Sequence, residues 1–298
     1  MSPPSETQTF LDLRPRLFGI AYRMLGTTQD AEDAVQEAYL RWREADARSL
    51  RSPQAWLVSV TTRLCIDRLR SLKVEREAYV GPWLPEPIVA EVTSPEAELE
   101  KAQHLSIAFL LMLERLSPEE RAAFLLYEVL DFDYAEIADA LQRSEGACRQ
   151  LVYRARQRLG EARGRFRPSP AQHRALLEQF VAATTAGDID RVVALLSEDA
   201  QLVADGGGKA RVVFKPLHGA HRIARLFHAV ARQVAAHGAR LDHRLVRVNG
   251  ELGLLRLFND VPHSVLAFET AGDRILSIGI VANPGKMSGV ADRALAGA

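Results

Sequence analysis

Cysteine is scarce: the 298 residues hold two, Cys65 and Cys148. Two such isolated thiols build neither a disulfide framework nor a metal-type ligand spacing, and they fit a reducing compartment. Neither charge sign prevails, because 38 Lys and Arg balance 38 Asp and Glu. A net charge of zero argues against a general polyelectrolyte binder and leaves local patches open. Long apolar runs are missing too. The longest candidate, Ile107 to Leu113, is far short of the ~20 residues that a bilayer span needs. No basic segment followed by an apolar core opens the chain, where Ser2 to Thr9 is polar. These absences predict a cytoplasmic protein with no membrane, metal or cofactor. What is present is ordinary: 47% hydrophobic and 26% charged residues. That is enough apolar surface to exclude disorder throughout, and the length predicts two domains or three small ones.

The charges are sorted along the chain. Residues 28–46 hold six acids (Asp30, Glu32, Asp33, Glu37, Glu44 and Asp46) against two arginines. Residues 63–76 hold five bases, residues 86–100 five glutamates and no base, and residues 143–167 eight arginines. An acidic helix, a basic helix, an acidic linker and a second basic helix imply separate surfaces for a protein partner and for a phosphate backbone. Solvated helix faces without function are the alternative.

Apolar spacing predicts helices over residues 10–76, broken at Gly26, with Thr28 or Asp30 capping the second and Ser52-Pro53 opening the third. Prolines 82, 85, 87 and 95 forbid a continuous helix over 77–100, which reads as a linker. Within it, Trp83-Leu84-Pro85-Glu86-Pro87 needs a hydrophobic dock. Helices resume to 166, with Ser117-Pro118 as a start and a helix-turn-helix ending in Ser144 to Leu159. After a second linker at 167–171 the period changes. Two helices, a strand at 199–204, a long helix from Gly219 to His237 and four alternating runs follow. Asn249-Gly250 marks the first hairpin among those runs. This predicts an antiparallel meander packed on helices, an α+β domain.

Several blocks carry a resemblance: Leu17 to Gly26, Asp30 to Glu37, Pro53 to Leu57, Arg63 to Arg70, Leu116 to Glu119, and Ser144 to Leu159. In this order and spacing they resemble an extracytoplasmic-function (ECF) sigma factor of bacterial RNA polymerase. Trp83 to Pro87, Asp205-Gly206-Gly207-Gly208-Lys209 and Asn283-Pro284-Gly285-Lys286-Met287 resemble the signatures of a subgroup with a fused C-terminal SnoaL-like domain. The resemblance implies a multidomain chain. Two all-α sigma domains, a region 2 helical bundle (1–76) and a region 4 helix-turn-helix (101–167), are joined by the 77–100 linker. An α+β cone-shaped SnoaL-like domain (168–298) follows.

It also implies roles. Core RNA polymerase meets the acidic helix through Asp30, Glu32, Asp33 and Glu37, with Val35, Tyr39 and Trp42 as anchors. Promoter DNA at −10 meets Ser59, Arg63, Asp67, Arg68 and Arg70, helped by Arg48 and Arg51 in the preceding loop. At −35 the last helix enters the major groove by its N-terminus, with Ser144, Glu145, Gly146, Ala147, Arg149 and Gln150 leading. Arg149 suits guanine and Gln150 adenine, while Arg154, Arg156 and Arg158 suit phosphates, beside Tyr153. Cys148 and Leu151 face the core.

Control in cis falls to an intramolecular contact. Trp83, Leu84, Pro85, Glu86 and Pro87 dock near Asp205, Gly206, Gly207, Gly208 and Lys209, with Asn283, Pro284 and Lys286 nearby. Glu86–Lys209 is the expected ion pair. The cone can hold a small ligand of unknown identity. Seven of the eight histidines lie from His173 onward. His218, His221, His243 and His263 with Asp242 are acid–base candidates for the cone, and no catalytic residue is assigned. Two rival readings are a helix-turn-helix regulator that does not use polymerase and a SnoaL-like enzyme tethered to DNA.

Overall fold

The structure, a computed structural model, describes residues 6–46, 50, 52–92, 106–160 and 169–295. Arg48, Arg51 and the expected helix over 96–105 lie outside the described residues. The chain divides into two compact units, residues 1–78 with 110–162 and residues 79–109 with 163–298.

The first unit is helical. It contains α1 (Glu6–Leu25), α2 (Thr28–Glu44), α3 (Pro53–Glu77), α5 (Pro118–Glu128), α6 (Tyr134–Leu141) and α7 (Glu145–Leu159); α4 (Ile107–Leu113) runs into it from residue 110. Local chemistry sets the starts. Gly26 at φ +80° ends α1. Thr27, not Thr28 or Asp30, caps α2: its extended backbone lets its hydroxyl accept from the Asp30 amide. Ser52 caps α3, with Pro53 at the first helical position. Reciprocal capping boxes open α5 (Ser117 with Glu120) and α6 (Asp133 with Glu136).

Two arginines tie region 2 to region 4 inside this unit. Arg121 is buried and donates to the carbonyls of Met24 and Leu113 at 2.7 Å each. Arg76 donates to the Leu25 carbonyl at 2.8 Å. Both also pair with Glu114. They satisfy carbonyls at the C-terminal ends of α1 and α4, where a helix has no partners of its own.

The second unit is α+β. A seven-stranded sheet has the order β1-β4-β5-β6-β7-β2-β3. Strands β4 (Leu241–Val248), β5 (Glu251–Phe258), β6 (Val261–Ala271) and β7 (Arg274–Val281) form the expected antiparallel meander. Asn249 at φ +53° and Gly250 at φ +80° make its first turn. Strand β2 (Leu196–Asp205) runs parallel to β7, and the short β3 (Leu217–His218) pairs with β2.

Helices α8 (Pro170–Ala186), α9 (Ile189–Leu195) and α10 (Ala220–Ala236) cover one face. Its core includes Leu177, Phe180, Ile223, Phe227 and Phe268. The other face buries Val248, Leu255 and Val265 with Ile107 of α4 and Val290 of α11 (Pro284–Leu295).

Residues 77–92 are the described part of the expected linker. Val89 and Ala90 form β1 and extend the sheet by pairing with Val248 and Arg247 of β4. Proline is tolerated beside an edge strand because the outer row of amides needs no ladder partner. In the second linker, likewise, Ser169 caps α8 and Pro170 is its first residue.

Candidate functional site

In α2 the acids split into two groups. Asp30 is structural: its carboxylate holds Arg68 of α3 at 2.8 Å and sits against the Thr27 hydroxyl. Glu32 and Glu37 lie nearer the surface and pair with Arg14 and Arg41, while Asp33 is exposed. Val35 and Trp42 are each 2% exposed, so the expected anchors are core residues of the bundle. Trp42 packs on Trp56, ring centroids 5.8 Å apart. Tyr39 is half-buried and packs on Phe10. The apolar side chain that α2 presents to solvent is Leu40.

On α3, Ser59, Arg63, Asp67 and Arg70 follow one helical face, as the spacing requires. Ser59 donates to the Ala55 carbonyl, and Arg63 to that of Ser59. Arg68 leaves this face for Asp30 and Glu75. Arg70 binds Asp67 at 3.1 Å and Glu119 of α5 at 2.5 Å. One arginine of the −10 set therefore holds region 4.

The N-terminus of α7 is open. Ser144 caps it by accepting from the Ala147 amide at 3.2 Å. Glu145, Gly146, Arg149 and Gln150 are exposed and Ala147 is partly so, and a Cβ at Gly146 would meet nothing within 4 Å. Arg149 pairs with Glu145 at 2.7 Å and lies over the Tyr134 ring. Such surface pairs are worth ~0–1 kcal/mol, so little holds the guanidinium in place. Tyr153 is 63% exposed. Cys148 and Leu151 are buried.

Arg154 and Arg158 both reach the buried Glu120, and Arg156 reaches Glu128 at 2.6 Å. The three were expected on phosphates. Here they brace α7 against α5, although each side chain stays more than half exposed.

In the second unit Asp205, at the end of β2, is a buried hub. It accepts from the Leu84 amide at 2.9 Å, the Tyr79 hydroxyl at 2.5 Å and the Gly207 amide at 3.0 Å. It also pairs with Lys286 at 2.7 Å. Lys286 donates on to the Leu84 carbonyl and lies 4.2 Å from the centre of the Trp83 ring. Asn283 donates to the Tyr79 oxygen at 2.7 Å. Burial, then the bond to Asp205, pushes the Tyr79 phenol far up from its ordinary value.

Gly207 at φ +58° passes so close that a Cβ would stand 2.3 Å from the Asn283 side-chain nitrogen. A second clasp follows along the chain: Ile88 donates to the Asn249 side chain at 3.0 Å, and the Asn249 amide returns to Ile88 at 2.8 Å. The ion pair that closes this region is thus Asp205–Lys286. Lys209 is exposed. Along the sequence Asn249 signals only a turn.

Between the sheet and α10 lies a cavity of about 540 Å³. It is walled by apolar residues such as Leu202, Phe227, Val230 and Phe258, with Arg256, His263 and Ser264 among its polar lining. Burial pulls the Arg256 guanidinium down to about 10, still charged at neutral pH. The expected histidine constellation does not assemble. His221 lines a different, shallow cleft, His218 lies exposed on β3, and Asp242 is tied to Arg240.

His243 stands opposite Arg256 in the sheet register. Burial first, then Arg256, holds its imidazole down at about 4, with Asp242 opposing. The unfolded chain binds that proton near the ordinary value of 6.5, so it holds more protons than the folded one between the two values. Stability is therefore full above the unfolded value and falls as pH drops toward the folded one. A denaturant series from about pH 7.5 to about pH 4.5 is expected to show a falling midpoint, and His243→Gln to flatten it. Equal slopes for both proteins would contradict this.

Comparison with known proteins decides the family. Residues 9–74 match the family described as Sigma-70 region 2, and residues 106–159 match Sigma-70, region 4. Over 295 residues the chain is 36% identical to the ECF RNA polymerase sigma factor SigJ of Mycobacterium tuberculosis, covering 95% of this chain and 94% of that one. The chain belongs to the ECF RNA polymerase sigma factors.

The crystal structure of the M. tuberculosis extracytoplasmic function sigma factor SigJ superposes with a TM-score of 0.77 at 34% identity, over 95% of this chain and 98% of that one. A probable ECF sigma factor of the same species, SigI, is 35% identical over 185 residues, covering 61% of this chain and 64% of that one. The sigma factor binds core RNA polymerase and directs transcription initiation. The match to region 2 and residues 110–159 of the match to region 4 fall in the helical unit, which carries the acidic and arginine-rich faces. Most of the sheet-rich unit lies outside both matches. Among the described residues no helix is long and apolar enough to cross a membrane.

Proposed function

We propose that this cytoplasmic sigma factor is controlled in cis by its C-terminal domain, through the segment that joins region 2 to region 4. The observation that carries this reading is the Asp205 hub. It takes hold of Tyr79 and Leu84, in the segment that follows α3, through two hydrogen bonds, and a buried lysine pairs with it. A domain that holds the connecting chain governs how far region 2 and region 4 can separate.

Separation is what promoter recognition demands. The −10 and −35 elements lie about 25 base pairs apart, ~85 Å of duplex at 3.4 Å per step. The Arg70–Glu119 pair and the Arg76 and Arg121 clamps hold the regions together, so this arrangement is the resting one. In the open one, Ser59, Arg63, Asp67 and Arg70 meet the −10 strand. Ser144 to Gln150 read the −35 groove, with Tyr153, Arg154 and Arg156 along its edge. Asp33, Glu37 and Leu40 face polymerase. The domain needs no catalysis for this role, and the scatter of His218, His221 and Asp242 away from the cavity supports that.

Run-off transcription with core polymerase tests the reading. Arg149→Ala is expected to weaken use of a −35 site with guanine at the contacted position by about 1–3 kcal/mol, roughly 5- to 150-fold. Its loss on sites altered there should be small. Glu119→Lys, which breaks the resting pair, is expected to raise basal transcription. Unchanged output from Glu119→Lys together with unchanged output from Asp205→Ala would refute control through the connecting segment.

A further inference from the structure

The cavity of the C-terminal domain contains a charge that the described chain does not balance. Arg256 sits in β5 at 6% exposure and lines the cavity. No carboxylate pairs with it among the described residues, and its Nε has no hydrogen-bond partner. Ser264, its register partner on β6, is fully buried, and its Oγ is equally unpartnered. Ser264 also lines the cavity. The sheet slips register at this point, leaving His263 unmatched beside Ser264, and a bulge of this kind re-aims side chains.

Burying a guanidinium without an anion costs several kcal/mol. The neighbours in β5 are Leu254, Leu255, Leu257 and Phe258, so an apolar residue would suit the strand better for stability alone.

We propose that this cavity binds a small organic carboxylate with an apolar body, its carboxylate held by Arg256 and Ser264 and its body by Leu202, Phe227, Val230 and Phe258. The guanidinium offers parallel N–H donors to two carboxylate oxygens, and the serine hydroxyl supplies another donor. The Phe227 ring, 5.4 Å from the guanidinium carbon, shields that pair from water. The volume lies within the usual range for small-molecule sites. One buried positive charge matches one negative charge. A phosphate dianion would leave an excess, because His243 and His263 are held toward their neutral forms by burial and by Arg256. Arg211 and His237 line the same cavity.

The inference deepens the control role proposed for this domain, and rests on that reading for any effect on transcription. Calorimetric titration of the full chain with octanoate, 1-octanol and octyl phosphate tests the binding itself. Octanoate is expected to bind the natural chain saturably, and Arg256→Met at least ~10-fold more weakly, the loss of one charged hydrogen-bonding group. Binding of 1-octanol should not distinguish the two. Arg256→Met is expected to melt no lower than the natural chain, since it removes an unbalanced buried charge. If it melts lower, Ser264→Ala decides, with weaker octanoate binding expected.

Octanoate bound no more tightly than 1-octanol, octanoate bound equally by both variants and the natural chain, or octyl phosphate preferred over octanoate would overturn the proposal. Run-off transcription with octanoate separates the two readings. Arg256-dependent binding without a change in transcript keeps the carboxylate site and removes its control role.

Discussion

Asp205→Ala is expected to destabilise the C-terminal unit by about 3–5 kcal/mol, the usual cost of removing one partner of a buried ion pair. The substitution leaves the Lys286 ammonium buried without its anion and strips partners from the Tyr79 hydroxyl and the Leu84 and Gly207 amides. Guanidinium denaturation of the natural chain and of Asp205→Ala, Lys286→Met and the double variant measures it. The double variant should recover part of the loss, because a neutral methionine fills the space without a stranded charge. A single-variant loss below ~1 kcal/mol would show that the hub is solvated and weak. The functional counterpart is the connecting segment. Without Asp205 the 79–90 stretch loses its strongest hold, and in run-off transcription the variant should no longer keep the natural basal level.

The second large effect separates core from interface in region 2. Trp42→Ala is expected to cost about 3–5 kcal/mol, because it opens a cavity against Trp56 in the buried core of the bundle. Glu37→Lys should change stability by no more than ~0.5 kcal/mol, since its pair with Arg41 is a surface i,i+4 contact. It should nonetheless weaken the complex with core polymerase, because it reverses charge on the exposed acidic rim. Thermal melts and a competition assay for core polymerase read the two quantities separately. Normal melting of Trp42→Ala with lost polymerase binding would instead make that tryptophan an interface anchor.

These expectations differ in origin. Acidic α2, basic α3 and the helix-turn-helix were legible from periodicity and charge, but whether a given residue faced out was not. Val35 and Trp42 satisfy both an amphipathic stripe and an anchor pattern, and only packing against Trp56 and the other helices puts them inside. Arg154, Arg156 and Arg158 read as phosphate ligands because arginine in a recognition helix usually is one. Their partners Glu120 and Glu128 lie on another helix.

The sequence by itself determined the family, the starts of α3, α5 and α7, the first hairpin of the meander and the α+β character of the last third. Caps, turn dipeptides and hydrophobic period act between residues a few positions apart, so they can be read along the chain. The tertiary structure alone decided that Val89 and Ala90 add a strand to the C-terminal sheet. It also decided that Lys286 closes on Asp205, and that Arg256 is buried with no carboxylate partner among the described residues. Each depends on groups brought together from distant parts of the chain: 121 residues separate Leu84 from Asp205, and 204 separate Tyr79 from Asn283. Five lysines and 38 acids allow many pairings that satisfy the composition equally well. Burial selects among them, because only a pair removed from water must find its partner.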